Sequence, residues 1–353
     1  AALEKGAVAY VSEVPYDLPA PCIRVNDIRT AMGLLADHAW GHPSGRLKVI
    51  GLTGTKGETT TAYFLKSILD AWRKAENKPP VGLLSTIVTD DGVSRRPATL
   101  TTPEPLDLQR HLFNAAGAGC EYVVMECSSQ ALKYGRMIGV ELAVGAFLNI
   151  GEDHISPNEH PDLEDYLRSK LLIFKQAETA CISMDCDHAA EVATAAAQCK
   201  RVLTFSQKHP EADVYGTDVR KEGNQIAFHV RTPRYEGELA ISPPGLFNVE
   251  NALAAIAVCE GLGIPEQHIY VGLMKARVPG RMEVYQNADG HITAIVDYAH
   301  NRLSFEKLFL SVKEEYPGQR GVIVFGCPGK KALDRRKDLS EISAKYADLV
   351  VIT

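Results

Sequence analysis

The 353-residue chain has no apolar run near the roughly 20 residues that cross a membrane, so no membrane insertion is expected. It shows no charged-then-apolar leader, so a cytoplasmic rather than a secreted protein is expected. It has no excess of positive charge. Its 38 Lys and Arg against 44 Asp and Glu leave a net charge of −6, which argues against nucleic acid as a partner. None of its eight cysteines forms a CxxC pair. Buried reduced thiols are expected, not a disulfide or zinc framework. There are no internal repeats and no low-complexity tracts. The absence with most consequence is one lysine. The Gly-rich turn at residues 53–61 reads Gly57-Glu58-Thr59 where a phosphate loop has Gly-Lys-Thr.

What remains is ordinary globular composition, 45% hydrophobic and 23% charged, with enough chain for two or three domains. Short strands are expected at 7–11 and 22–25. A helix is expected from Ile28 to Ala39, capped by Asn26 or Asp27, and then a linker at 41–45. From Leu47 the pattern is α/β. Apolar strands at 49–52, 81–84, 122–125, 144–149, 181–183 and 202–205 alternate with helices, which implies a mostly parallel sheet covered on both faces. Residues 213–242 alternate polar and apolar between turns, as antiparallel edge strands do. A small-residue helix follows at 249–259, and the chain breaks at Val278-Pro279-Gly280-Arg281. Strands at 292–296, 321–325 and 349–352 then make a second α/β unit. The domain boundaries read as 1–44, 45–281 and 282–353, with the outer two segments looking incomplete.

The strand, Gly-rich turn and helix start at 49–61 are how proteins hold nucleotide phosphates. Backbone N–H groups converge there, and the helix N-terminus adds partial positive charge. Thr59 stands where a hydroxyl ligates the nucleotide's Mg²⁺. Glu126 ends a strand, where open α/β sheets place ligands. It is either a metal ligand opposite Thr59 or a surface-edge glutamate. His154, in Asn149-Ile150-Gly151-Glu152-Asp153-His154, is a candidate ligand for a second metal. Spacing alone makes Lys170 a snorkelling lysine on an amphipathic helix. Asp297-Tyr298-Ala299-His300 is a strand-end turn that is either a ribose and phosphate contact or solvated.

Together these segments resemble the Mur ligases, the ATP-dependent amide-forming enzymes of bacterial cell-wall synthesis. The matching stretches run in order over nearly the whole chain: TGTKGETTT at 53–61, LTTPE at 100–104, MECSSQAL at 125–132 and NIGEDHI at 149–155, then EDYLRSKL at 164–171, GLFNVENALAA at 245–255, VPGRME at 278–283 and DYAH at 297–300. The branch adding the third amino acid of the stem peptide is the most similar. The resemblance implies an α/β fold whose central domain is a P-loop mononucleotide-binding unit. A partial uridine-binding domain would precede it and a partial Rossmann-like domain follow it.

The resemblance also implies roles. Gly54, Thr55, Lys56, Gly57, Thr59 and Thr60 would bind ATP, with Asn248, Arg281, Asp297 and His300 reaching it across a cleft. Thr59 and Glu126 would bind Mg²⁺, and His154 a second Mg²⁺. Lys170 would be carbamylated. Thr101, Thr102, Ser128 and Arg136 would bind a UDP-muramoyl dipeptide. The protein would act as a monomer. The substrate carboxylate would attack the γ-phosphate of ATP, and an amino acid would displace phosphate from the acyl phosphate.

Three departures qualify that picture. Glu58 puts −1 where +1 is expected. At about 4 Å and an effective dielectric of about 20, each unit charge interacts by about 4 kcal/mol. Impaired ATP turnover is therefore expected. The turn Phe325-Gly326-Cys327-Pro328-Gly329-Lys330-Lys331 has no assigned role. The choice between L-lysine and meso-diaminopimelate stays open, although 297–301 and Arg335-Arg336-Lys337-Asp338 look like the lysine-adding branch. Competing readings are a folylpolyglutamate or cyanophycin synthetase and a non-catalytic binder of the nucleotide-sugar peptide. Ser128-Ser129 and Thr101-Thr102-Pro103 argue against folylpolyglutamate synthetase. Glu58 favours the binder.

Overall fold

Residues 2–156, 159–223, 225–327 and 334–353 are described by the structure, a computed structural model. The chain begins with β1 (Tyr10–Ser12), β2 (Cys22–Arg24) and α1 (Ile28–Ala39). Asp27 caps α1 by accepting from Arg29 N. Then come β3 (Lys48–Thr53), α2 (Glu58–Ala75), β4 (Gly82–Leu84), β5 (Val88–Asp90), β6 (Arg95–Pro97), α3 (Pro105–Gly117), β7 (Tyr122–Glu126), α4 (Ser129–Lys133) and β8 (Leu142–Phe147). The sheet continues through α5 (Leu163–Leu171), β9 (Ala177–Ser183), α6 (Ala189–Ala196) and β10 (Arg201–Ser206), then β11 (Val214–Glu222), β12 (Gln225–Arg231) and β13 (Glu236–Ile241). After α7 (Asn248–Leu262) and α8 (Glu266–Lys275) come β14 (Glu283–Gln286), β15 (Thr293–Val296), α9 (Arg302–Glu315), β16 (Val322–Phe325), α10 (Asp334–Tyr346) and β17 (Leu349–Ile352).

One sheet dominates, in the order β13-β12-β11-β10-β9-β8-β3-β7-β4-β5-β6. Its middle, from β11 to β4, is parallel, and both flanks are antiparallel. The apolar strand runs hide an alternation, because successive side chains point to opposite faces. Ile50, Leu52 and Val124 pack with α2, α7 and α8. Val49, Val123 and Met125 pack with α3, α5 and α6. On α2 the residues Phe64, Leu65, Ile68 and Leu69 are fully buried. Each such side chain contributes about 1.5–3 kcal/mol.

The register places the site. Leu52 of β3 lies opposite Glu126 of β7, and Thr53 opposite Phe147 of β8. Three adjacent parallel strands thus end together, and the segments leaving them surround one hollow.

Several expectations need adjustment. The strand expected at 144–149 ends at Phe147, because Asn149 leaves the sheet to bind the phosphate turn. The expected linker at 41–45 is pinned: Ser44 Oγ donates to Gly139 O and accepts from Glu141 N. The short strands β5 and β6 carry too few apolar residues to have been read from the sequence. The last unit forms two separate ladders, β14–β15 and β16–β17, and a small core of Phe305, Phe309, Leu339 and Ile342 on which Ile323 and Phe325 of β16 pack. All eight cysteines are free. Burial pushes the Cys127 thiol up to about 12. Among the described residues no helix is long and apolar enough to cross a membrane.

Candidate active site

The phosphate turn joins β3 to α2. Gly57 sits at φ 97°, in the left-handed region, and a Cβ there would lie 2.2 Å from Asn251 Oδ1. Only glycine fits. Asn149 clamps the turn. Its Oδ1 accepts from Thr55 N at 3.1 Å and Lys56 N at 2.9 Å, and its Nδ2 donates to Lys56 O at 2.7 Å. Thr55 Oγ1 ties the turn to Gly151. This refines the expected convergence of donors. The N–H groups of Thr55 and Lys56 are already spent, which leaves those at 57–60, where a helix start has free donors.

Glu126 is buried, not a surface-edge residue. Its Oε1 accepts from Thr86 N at 3.0 Å and its Oε2 from Thr86 Oγ1 at 2.8 Å. The Thr59 hydroxyl lies near enough to favour the charged form of Glu126. Burial first, and the charge of Glu58 second, push the Glu126 carboxyl up to about 7. Two carboxylates thus share a hollow beside a threonine hydroxyl. That set suits a hard divalent cation, which would neutralise the repulsion.

Lys170 does not snorkel. It is 2% exposed, donates to Gly54 O at 2.5 Å and lies 4.7 Å from the centre of the Tyr166 ring. Burial lowers its amine to about 8. An appreciable neutral fraction follows, and a neutral amine is what CO₂ adds to.

The loop after β8 carries a polar hub. Asp153 accepts from Asn301 Nδ2 at 2.5 Å, from Arg335 Nη2 at 3.2 Å and from His154 N at 3.0 Å, and pairs with Lys56 Nζ at 3.2 Å. Burial works against its charge, yet Lys56, His154 and Arg335 hold the carboxyl well below the usual range. His154 itself is half-exposed, with Nδ1 2.9 Å from Glu159 Oε1. Among the described residues no group of three or more His, Cys, Asp or Glu side chains is arranged to hold a metal. Buried His160 links Asp165 (2.6 Å) to Ser129 Oγ (2.9 Å) and so ties α5, which bears Lys170, to the start of α4.

On the far side of β7, Thr102 Oγ1 donates to Glu126 O at 2.9 Å and accepts from Ser128 N at 3.0 Å. Thr101 Oγ1 lies 3.2 Å from Thr86 Oγ1. Arg136 pairs with Glu104 at 2.9 Å and donates to Thr102 O. Facing them, Asn248 donates to Pro244 O and accepts from Asn251. Arg281 stacks 4.8 Å over Tyr298. Asp297 accepts from Met282 N and Ala299 N. Burial, then Lys56, lower the His300 ring to about 4, so it is neutral at pH 7.

All the candidate residues line one cavity of about 400 Å³, from Gly54 and Thr60 through Glu126, Ser128, His154 and Lys170 to Asn248, Arg281, Asp297 and His300. Sequence reasoning missed Thr86, Asn301 and the roles of Asn149 and Asp153. Asn149 and Asp153 stood inside a matched motif, whereas Asn301 and Arg335 reach Asp153 from 148 and 182 residues away. Pro328 to Lys331 of the unassigned turn lie outside the described residues.

A Gly-rich strand-to-helix turn, a parallel sheet and a polar cavity at the strand tips define a phosphate-binding α/β protein. The profile of the Mur ligase middle domain matches residues 52–259, and that of the Mur ligase glutamate ligase domain matches 280–353. The chain belongs to the Mur ligase family, whose chemistry is amide-bond formation. It is 39% identical over 360 residues to the UDP-N-acetylmuramoyl-L-alanyl-D-glutamate--L-lysine ligase of Enterococcus faecalis, covering 100% of this chain and 70% of that one. It is 40% identical over 351 residues to a UDP-N-acetylmuramyl-tripeptide synthetase of Lactococcus lactis, covering 98% and 69%. A solved UDP-N-acetylmuramoyl-L-alanyl-D-glutamate--2,6-diaminopimelate ligase shares the fold, with a TM-score of 0.75 at 24% identity over 99% of this chain and 71% of that one.

Proposed function

We propose that this chain joins an amino acid to UDP-N-acetylmuramoyl-L-alanyl-D-glutamate, using ATP and Mg²⁺, in the cytoplasm and as a monomer. L-lysine is the preferred amino acid, because the Enterococcus relative is a lysine ligase. The names of the relatives at 39–40% identity also weigh against a folylpolyglutamate or cyanophycin synthetase. Residues 1–44 belong to a uridine-binding part, 45–281 to the ATP-binding domain and 282–353 to the amino-acid-binding part.

The observation that carries the reading is the shared cavity. Phosphate turn, buried carboxylate, buried lysine and the Thr102–Ser128 pair open into one space. In it, the free N–H groups at 57–60, with Gly54, Thr55 and Lys56 shaping the turn, receive the phosphates. Thr59 and Glu126 would hold Mg²⁺, and His154 a second ion. Bound there, the metal would supply charge neutralisation for attack by a carboxylate on a polyanion. Lys170, carbamylated, presents an anion from α5. Thr101, Thr102, Ser128 and Arg136 orient the peptide carboxylate. Asn248, Arg281, Asp297 and His300 close on the nucleotide and exclude water from the activated acid.

The test is mass spectrometry of a mixture of ATP, Mg²⁺, the UDP-muramoyl dipeptide and either L-lysine or meso-diaminopimelate. A tripeptide formed with lysine is the expected result. No tripeptide from this chain or from Glu58→Lys would favour the second reading, a binder of the nucleotide-sugar peptide, for which Glu58 is the supporting feature. Carbamylation is checked by ¹³C NMR after exposure to ¹³C-bicarbonate, with Lys170→Ala as the blank.

A further inference from the structure

We propose that Lys56 supplies, from two positions earlier in the turn, the phosphate-facing cation that Glu58 cannot. The inference rests on the nucleotide site proposed above.

Among the described residues, five Lys and Arg side chains line the cavity: Lys56, Arg136, Lys170, Arg281 and Lys307. Two are ion-paired elsewhere. Arg136 pairs with Glu104, and Lys307 pairs with Glu250 at 2.8 Å. Lys170 donates into the turn's own carbonyl at Gly54, and Arg281, stacked over Tyr298, reaches the cavity from the opposite wall and not from the phosphate turn. Lys56 differs. Its ion-pair partner among the described residues, Asp153, has three other donors in Asn301, Arg335 and His154 N. Asp153 therefore keeps hydrogen-bond partners when Lys56 turns toward an anion. An ammonium carries three donors, and Asp153 occupies one.

The position is also fixed. Asn149 grips the backbone on both sides of Lys56, by its N–H and by its carbonyl. The side chain therefore leaves a rigid base, and little ordering entropy is lost when it meets an anion. Its own side chain is 21% exposed, so its charge acts in a poorly solvated space. Glu58 is near enough to act on the charges of both Lys56 and Glu126. The turn thus carries its cation at 56 and its carboxylate at 58, with the carboxylate beside the groups assigned to the metal. The sign that the motif demands is displaced along the chain.

The experiment is isothermal titration of the full chain with ATP in excess Mg²⁺, on the parent protein, Lys56→Ala, Glu58→Lys and the double variant. A charged hydrogen bond to phosphate is worth about ten- to hundred-fold in affinity. Lys56→Ala should weaken binding by that factor, and in the Glu58→Lys background the same change should cost less than about threefold. Lys56→Gln, which retains a donor to Asp153, should lose as much as Lys56→Ala, with an unchanged melting temperature. Parent-like binding by Lys56→Ala would overturn the proposal. So would an equal loss in both backgrounds, which would make Lys56 a support for the loop. Binding by Glu58→Lys but not by the parent overturns it too. If none of the proteins binds ATP, the nucleotide site itself is wrong and the inference falls with it.

Discussion

The two walls of the cavity are built differently. One wall, the tips of β3, β7 and β8 with the start of α2, stands on a sheet buried on both faces. The other, 281–304 with α9 and α10, stands on a small core built, among the described residues, on Phe305, Phe309, Leu339 and Ile342. The first wall carries Glu58, Thr59, Thr60 and Glu126, and the second brings Arg281, His300, Asn301 and Arg335. They meet at Asp153, whose carboxylate gathers Lys56 from one side and Asn301 and Arg335 from the other. The rigid wall therefore supplies precision, and the thin-cored wall is the one able to move at modest cost. The rigid wall is also the one whose charge departs from the phosphate-loop pattern.

That contrast can be broken by mutation. The largest effect expected is on rate. Glu58→Lys removes a repulsion and adds an attraction at the phosphates, so ADP release should rise by about a hundredfold or more. An unchanged rate would mean that position 58 does not face the nucleotide. Next is the joint between the walls. Asp153→Ala leaves Lys56 and Arg335 without their shared anion and should cost about 3 kcal/mol in urea unfolding. The Asp153 carboxyl is held below its ordinary range, so this contribution is complete above about pH 4 and fades as pH falls through the folded pKa.

The third test concerns the rigid wall alone. Glu126 has a folded pKa of about 7 against an ordinary 4.5. The folded state binds that proton more tightly, so stability without metal falls as pH rises between those values and stays low above them. Glu126→Gln should leave stability at pH 4 unchanged and raise it by up to about 3 kcal/mol at pH 8. Added Mg²⁺ should stabilise the parent protein and not this variant. The smallest effect is at Gly57. Gly57→Ala forces a Cβ into positive φ and onto Asn251 Oδ1. It should cost about 2 kcal/mol, with part of the loss recovered by Asn251→Ala.

The rigid wall was largely legible in the sequence. Its residues come in short contiguous motifs, TGTKGETTT, MECSS and NIGEDHI, each at the end of an apolar run. The period-2 pattern and the Gly-rich turn are local signals. Lys170 was misread from spacing, because helical periodicity cannot tell a lysine facing solvent from one entering a cavity between α5 and β3. Family resemblance corrected the direction of that reading. The second wall was less legible. Asn301 and Arg335 acquire meaning only from a contact with Asp153 across more than a hundred residues, and no local pattern encodes such a contact. The spent N–H groups of Thr55 and Lys56 were invisible for the same reason, since their acceptor is Asn149.

The most direct test of the central claim is a crystal structure of the chain with ADP and Mg²⁺. The account places the phosphates within hydrogen-bond reach of the N–H groups at 57–60 and the metal about 2.1 Å from oxygens of Thr59 and Glu126. Lys56 Nζ would be turned toward a phosphate oxygen. Nucleotide density outside this cavity, or a metal that ignores Glu126, would contradict it.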